Sequence, residues 1–102
     1  MDHMTDYTYT IPEIKAIVTP IAKSHGVAKV YLFGSYARNE ATGASDIDFW
    51  IESGEIQSLF ALGGFYADLE DGLQKHIDIV TNDAIDKRFH DEIRKEEVAI
   101  YG

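Results

Sequence analysis

The amino-acid sequence predicts an α/β (α+β) domain, and two observations carry that expectation. Stretches with apolar residues at helical spacing alternate with short β-branched and aromatic runs, in the order helix, strand, short helix, strand, helix, strand, helix. The chain is 102 residues long with no repeat, low-complexity tract or linker, which is room for one domain rather than two. Residues 1–9 show no clear period and read as a flexible N-terminal segment of that single domain, 1–102.

Each element has its own signal. Thr10-Ile11-Pro12-Glu13 reads as a helix start: Thr10 can cap, Pro12 suits the first turn, and Glu13 stands three residues after the cap. Ile14, Ile17, Val18 and Ile21 then fall on one face, Pro20 is a point where the helix can kink, and Gly26 is placed to end it in a left-handed cap. Val27–Phe33 reads as a strand broken by Gly34-Ser35, with a helical turn or two from Ser35 to Glu40 and a turn-forming stretch from Asn39 to Ser45. Asp46–Glu52 is a second strand. Glu55 to Leu69 has a helical period through Ile56, Leu59, Phe60 and Tyr66, with Asp71-Gly72 expected to break it. His76–Val80 is a third strand, and Asp83 to Val98 a last helix with Ile85, Phe89 and Ile93 on one stripe. That stripe and Ile14–Ile21 are the expected core.

Composition narrows the function. The chain has no cysteine, which excludes a disulfide scaffold and a thiolate metal site. No apolar run approaches the roughly 18 residues of a membrane span, so no membrane role and a cytoplasmic location are expected. The net charge is −9 and uneven: residues 1–51 carry 4 basic and 6 acidic side chains, residues 52–102 carry 5 and 12. Such a field repels nucleic-acid backbones and argues against direct nucleic-acid binding. It suits divalent cations or a basic protein partner.

Three features carry chemistry. Asp46 and Asp48 are two apart in a strand, so both project from one side while Ile47 and Phe49 point into the core. Paired carboxylates suit Mg²⁺, which takes one or two of them together with substrate phosphates. Gly34-Ser35 follows a strand and opens a short helical segment; a glycine lets backbone approach a ligand, and free N–H groups there favour phosphate. Asp78 lies mid-strand between two isoleucines and can complete a three-carboxylate site for two metal ions, or take the proton from an attacking hydroxyl. Together these suggest nucleotidyl or phosphoryl transfer.

Other residues have open readings. Arg38 can contact phosphate, pair with Glu40 or close the loop. Ser45 can hydrogen-bond its loop or join the site. Trp50 shares the face of Asp46 and Asp48 and either walls a base pocket or packs. His3, His25, His76 and His90 lack metal-ligand spacing, although His76 shares a face with Asp78. Tyr36 can pack or touch nucleotide, and Tyr7, Tyr9 and Tyr101 read as exposed near the termini, with self-modification of one resting on the hydroxyl alone.

Gly34-Ser35-Tyr36-Ala37-Arg38 followed by Ser45-Asp46-Ile47-Asp48-Phe49 resembles the signature of the minimal nucleotidyltransferases of the DNA polymerase beta superfamily. The resemblance implies a small mixed β-sheet with helices packed against it. It implies that Gly34 and Ser35 bind the phosphates of the nucleotide, with ATP as substrate, and that the catalytic Asp46 and Asp48 hold two Mg²⁺ ions with Asp78 as the third carboxylate; Arg38 and Ser45 stand beside these as candidate nucleotide contacts on their own chemistry. The family usually has glycine where this chain has Asn39, a residue that tolerates left-handed φ. Members of this size are often antitoxins that transfer AMP to a tyrosine of a HEPN-type ribonuclease toxin, in a hetero-oligomer. Two alternatives stand beside this: a small-molecule or RNA acceptor, and a non-catalytic antitoxin that neutralises by contact.

Overall fold

The computed structural model describes residues 5–81 and 87–102. Helices α1 (Ile11–His25), α2 (Leu59–Leu73) and α3 (Lys87–Arg94) surround strands β1 (Lys29–Phe33), β2 (Ile47–Glu52), β3 (Ile77–Thr81) and β4 (Val98–Tyr101). The sheet order is β3-β2-β1-β4. Strand β1 runs antiparallel to β2 and β4, and β2 runs parallel to β3, so the sheet is mixed as expected.

Helix α1 begins as its sequence predicts. The Thr10 hydroxyl accepts from the Glu13 N–H, and the Glu13 carboxylate accepts from the Thr10 N–H at 2.8 Å, so two otherwise orphaned donors are satisfied together. The helix continues through Pro20 and stops at Gly26, whose φ of 73° is left-handed.

Helix α2 starts later than its periodicity suggests. Ser58 is the cap, its hydroxyl accepting from the Ala61 N–H, which leaves Glu55 and Ile56 in the preceding turn. It also runs on through Asp71-Gly72 instead of breaking there. Gly72 faces Ile17 and Ile21 of α1, and a Cβ at this position would press on both side chains. The glycine serves close helix packing, which outweighs its poor helix propensity. The helix ends at Gln74 in a left-handed conformation.

The C-terminal region departs most from the sequence reading. Asp83 and Ile85 lie outside the described residues, α3 ends at Arg94, and Val98–Tyr101 is a strand rather than the tail of a helix. Ile100 is buried and Ala99 exposed, a two-residue alternation that a four-residue strand satisfies against β1. Phe89 is 46% exposed, so only Ile93 of that stripe is core among the described residues.

The two faces of the sheet are covered differently. Val30, Leu32, Ile47, Phe49, Ile51 and Ile77 meet Ile14, Val18, Phe65, Leu69 and Leu73 of α1 and α2 in the main core. On the opposite face Phe33 and Trp50 pack with Ile93 in a smaller cluster. Asp48 shares that second face with Trp50, because strand residues two apart point the same way.

Candidate active site

Asp48 and Asp78 are brought together by strand register. Strand β2 sets Asp48 opposite Phe33, the last residue of β1, and opposite Asp78 of β3. Parallel pairing at equal register puts both aspartates on one face at neighbouring heights. Asp78 thereby stands near enough to Asp48 to act on its carboxyl. Asp46 immediately precedes β2 and acts on Asp48 through its charge.

This crowding shifts the Asp48 carboxyl. Burial, then the hydrogen bond and charge of Asp78, then the charge of Asp46, push it from an ordinary 3.8 up to about 6, with Arg38 opposing. Asp46 and Asp78 are themselves exposed.

The turn after β1 closes on the same spot. Gly34 has φ 76°, and a Cβ there would collide with the Asp48 carboxylate. Only a residue without a side chain fits between the strand end and the acid. Hydrogen bonds from the Arg38 N–H to the Gly34 carbonyl and from the Glu40 N–H to the Ser35 carbonyl tighten the turn. Asn39 takes φ 63°, the left-handed conformation that its side chain tolerates.

Arg38 donates to two carboxylates, from Nε to Glu40 at 2.9 Å and from Nη1 to Glu96 at 3.0 Å. The pairing reading of Arg38 is thus realised, and Glu96 is a partner that the sequence alone did not single out. Glu96 also accepts from the Gly34 N–H at 3.0 Å.

A second support holds the loop ahead of Asp46. Lys75 is 3% exposed, and its ammonium donates to the Gly43 carbonyl at 2.8 Å and the Thr5 carbonyl at 3.1 Å. The Thr5 N–H in turn donates to the Gln74 carbonyl. Ser45 accepts from the Thr42 N–H at 2.9 Å, so its hydroxyl shapes the loop. A cleft of about 160 Å³ opens here, lined in part by Ser45, Asp46, Lys75 and His76.

Other residues fall into place around these. Trp50 is buried and its ring lies 4.9 Å from that of Tyr31, while Tyr36 is buried in the main core, so both pack. His76 is exposed and lies 3.8 Å from the Glu70 carboxylate. Tyr66 of α2, read from the sequence only as part of a helical stripe, feels the charges of Glu70, Asp78 and Asp46; burial first and these charges second push its phenol up. Tyr7 is half-exposed, whereas Tyr9 and Tyr101 are partly buried.

Residues 13–101 match the nucleotidyltransferase domain family. A candidate protein adenylyltransferase of Methanocaldococcus jannaschii is 42% identical over 90 residues, which cover 88% of this chain and 97% of that protein. The chain belongs to the nucleotidyltransferase family. Among solved structures, a candidate minimal nucleotidyltransferase superposes with a TM-score of 0.76 at 26% identity, over 88% of this chain and 95% of the other. An MNT antitoxin in complex with the tri-AMPylated HEPN toxin of Shewanella oneidensis shares the fold, with a TM-score of 0.70 at 16% identity over 91% and 73% of the two chains.

The donors of this nucleotidyltransferase fit a hard divalent cation. Asp46, Asp48 and Asp78 offer only carboxylate oxygens, the hard donors that such an ion takes. Among the described residues no group of three or more His, Asp or Glu side chains is placed to hold a metal ion, so the expected three-carboxylate site is not assembled in this structure. Among the described residues, too, no helix is long and apolar enough to cross a membrane.

Proposed function

We propose that the chain transfers AMP from ATP to a tyrosine hydroxyl of a HEPN-type ribonuclease toxin, and so acts as its antitoxin in the cytoplasm. The observation that carries this reading is the contact of Asp48 with Asp78 beside the Gly34 turn, in a chain of the nucleotidyltransferase family. The names of the relatives support the adenylyl group and the toxin partner.

The chain's own groups have distinct tasks in this mechanism. Gly34 lets the turn approach Asp48 closely, and Ser35, the next residue of that turn, is assigned to the triphosphate. Asp46, Asp48 and Asp78 would hold Mg²⁺, which supplies charge neutralisation for the phosphates and the leaving group. The acceptor hydroxyl oxygen bonds to the α-phosphorus, the bond from that phosphorus to the bridging oxygen breaks, and pyrophosphate leaves. The hydroxyl proton passes to a carboxylate, for which exposed Asp78 is the group at hand.

Charge favours a basic acceptor. Residues 52–102 hold 12 acidic and 5 basic side chains, which suits a basic RNA-cleaving protein and disfavours free RNA. The test uses ATP labelled at the α-phosphate, Mg²⁺ and the product of the neighbouring gene. Label on a tyrosine of that product is expected, and no label on any protein contradicts the reading.

A further inference from the structure

We propose that Glu96 is a positioning residue, holding the Gly34–Arg38 turn in the shape that receives the nucleotide's phosphates. This rests on the adenylyl-transfer reading above. Glu96 lies between α3 and β4, 62 positions from Gly34 in the chain. One carboxylate oxygen accepts from the Gly34 N–H at 3.0 Å and from Arg38 at 3.2 Å, and the other accepts from Arg38 at 3.0 Å. Its side chain is 28% exposed, so these bonds are only partly open to water.

Sheet geometry explains why a carboxylate is needed there. Pairing of β1 with β4 runs from Val30↔Tyr101 to Leu32↔Val98. Beyond that point the chain runs on through Phe33, the end of β1, to Gly34, but β4 offers no further backbone partner. The Gly34 N–H is left at a buried strand end, and the Glu96 side chain accepts its hydrogen bond in place of the missing strand. A Cβ at Gly34 would collide with the Asp48 carboxylate, so Glu96 holds the backbone residue that borders that acid.

Arg38 fits this bracing role. Its guanidinium is divided between Glu40 and Glu96, so it ties the far side of the turn to the same carboxylate that holds the near side. The opposite role, in which Glu96 sits where a phosphate belongs and competes with it, makes the reverse prediction for nucleotide affinity.

The test compares wild type, E96A, E96Q and E96D as full chains with the toxin partner present. Affinity for a non-hydrolysable ATP analogue with Mg²⁺ is measured by calorimetry, exchange of the Gly34 amide by NMR, and transfer kinetics with ATP. E96A is expected to bind about tenfold more weakly, which corresponds to one lost charge-assisted hydrogen-bond set, with KM rising more than kcat falls. Its Gly34 amide is expected to exchange faster. E96Q keeps an acceptor for that N–H and is expected to recover most of the affinity. E96D is one methylene short and is expected to resemble E96A; it carries the test if E96A does not fold. Unchanged or tighter binding by a folded E96A or E96D overturns the proposal, as does an unchanged Gly34 exchange rate. A wild-type chain that takes up no nucleotide overturns the adenylyl-transfer reading and the Glu96 role together; loss confined to the variants separates the two.

Discussion

Asp48 and Asp78 stand at equal register across the parallel β2–β3 pair, and Asp78 helps to raise the Asp48 carboxyl. Burial first, and then the neighbouring Asp78 and Asp46, hold the Asp48 carboxyl above its ordinary range, so the folded chain keeps the Asp48 proton to a higher pH than the unfolded chain does.

That proton makes stability depend on pH in a defined direction. The folded-state carboxyl of Asp48 lies at about 6, above its ordinary 3.8, so the folded chain binds the proton more tightly than the unfolded chain. The stabilisation is complete below pH 3.8 and is lost as pH rises to and through about 6. D48N carries no such proton. In chelator, wild-type Tm minus D48N Tm is expected to fall between pH 4 and 7 and then level off, read by thermal melts. A difference that does not change with pH contradicts the shift. With Mg²⁺ present, its apparent affinity is expected to weaken as pH drops below about 6, because the proton competes with the ion.

Gly34→Ala is expected to disable the site and to cost stability. The left-handed backbone at φ 76° costs an alanine roughly 1–2 kcal/mol, and its methyl group meets the Asp48 carboxylate. Thermal melting and nucleotide titration read the two effects. A G34A chain that binds nucleotide like wild type contradicts the close approach.

Lys75→Met is expected to destabilise the chain by about 1–3 kcal/mol, because the Gly43 and Thr5 carbonyls lose a buried donor. For a domain of this size that is a Tm drop of about 4–8 °C for each kcal/mol. Since Gly43 lies on the loop ahead of Asp46, transfer is expected to slow as well. A K75M chain that melts like wild type shows that the ammonium does not anchor the loop.

Thr10→Ala removes half of the reciprocal cap of α1 and is expected to cost about 1 kcal/mol, with no effect on nucleotide affinity. Denaturant unfolding and calorimetry check both statements.

Local signals made much of the fold legible in the sequence. The Thr10–Glu13 cap, the left-handed Gly26 and the three apolar strands depend on neighbours in the chain, and the structure follows them within a few residues. Ile47 and Phe49 are buried and alternate with Asp48, as a strand requires. What the sequence hid depends on distant partners. Val98–Tyr101 has only four residues, and its strand character comes from pairing with β1. Gly72 looks like a breaker until Ile17 and Ile21 of α1 lie against it. Glu96 and Lys75 resemble solvated charges in the sequence, and only the folded chain carries them to Gly34 and Gly43.

AMP transfer to the proposed toxin partner, with the D46N/D48N double variant beside the wild type, decides whether these aspartates carry the chemistry. The same preparations are read by mass spectrometry for the adenylyl group and by circular dichroism for folding. The wild type is expected to modify the toxin, and the folded variant to do so slower by roughly a thousandfold or more, the loss of several kcal/mol of transition-state stabilisation. Modification at equal rates by both chains would show that these aspartates do not run the reaction.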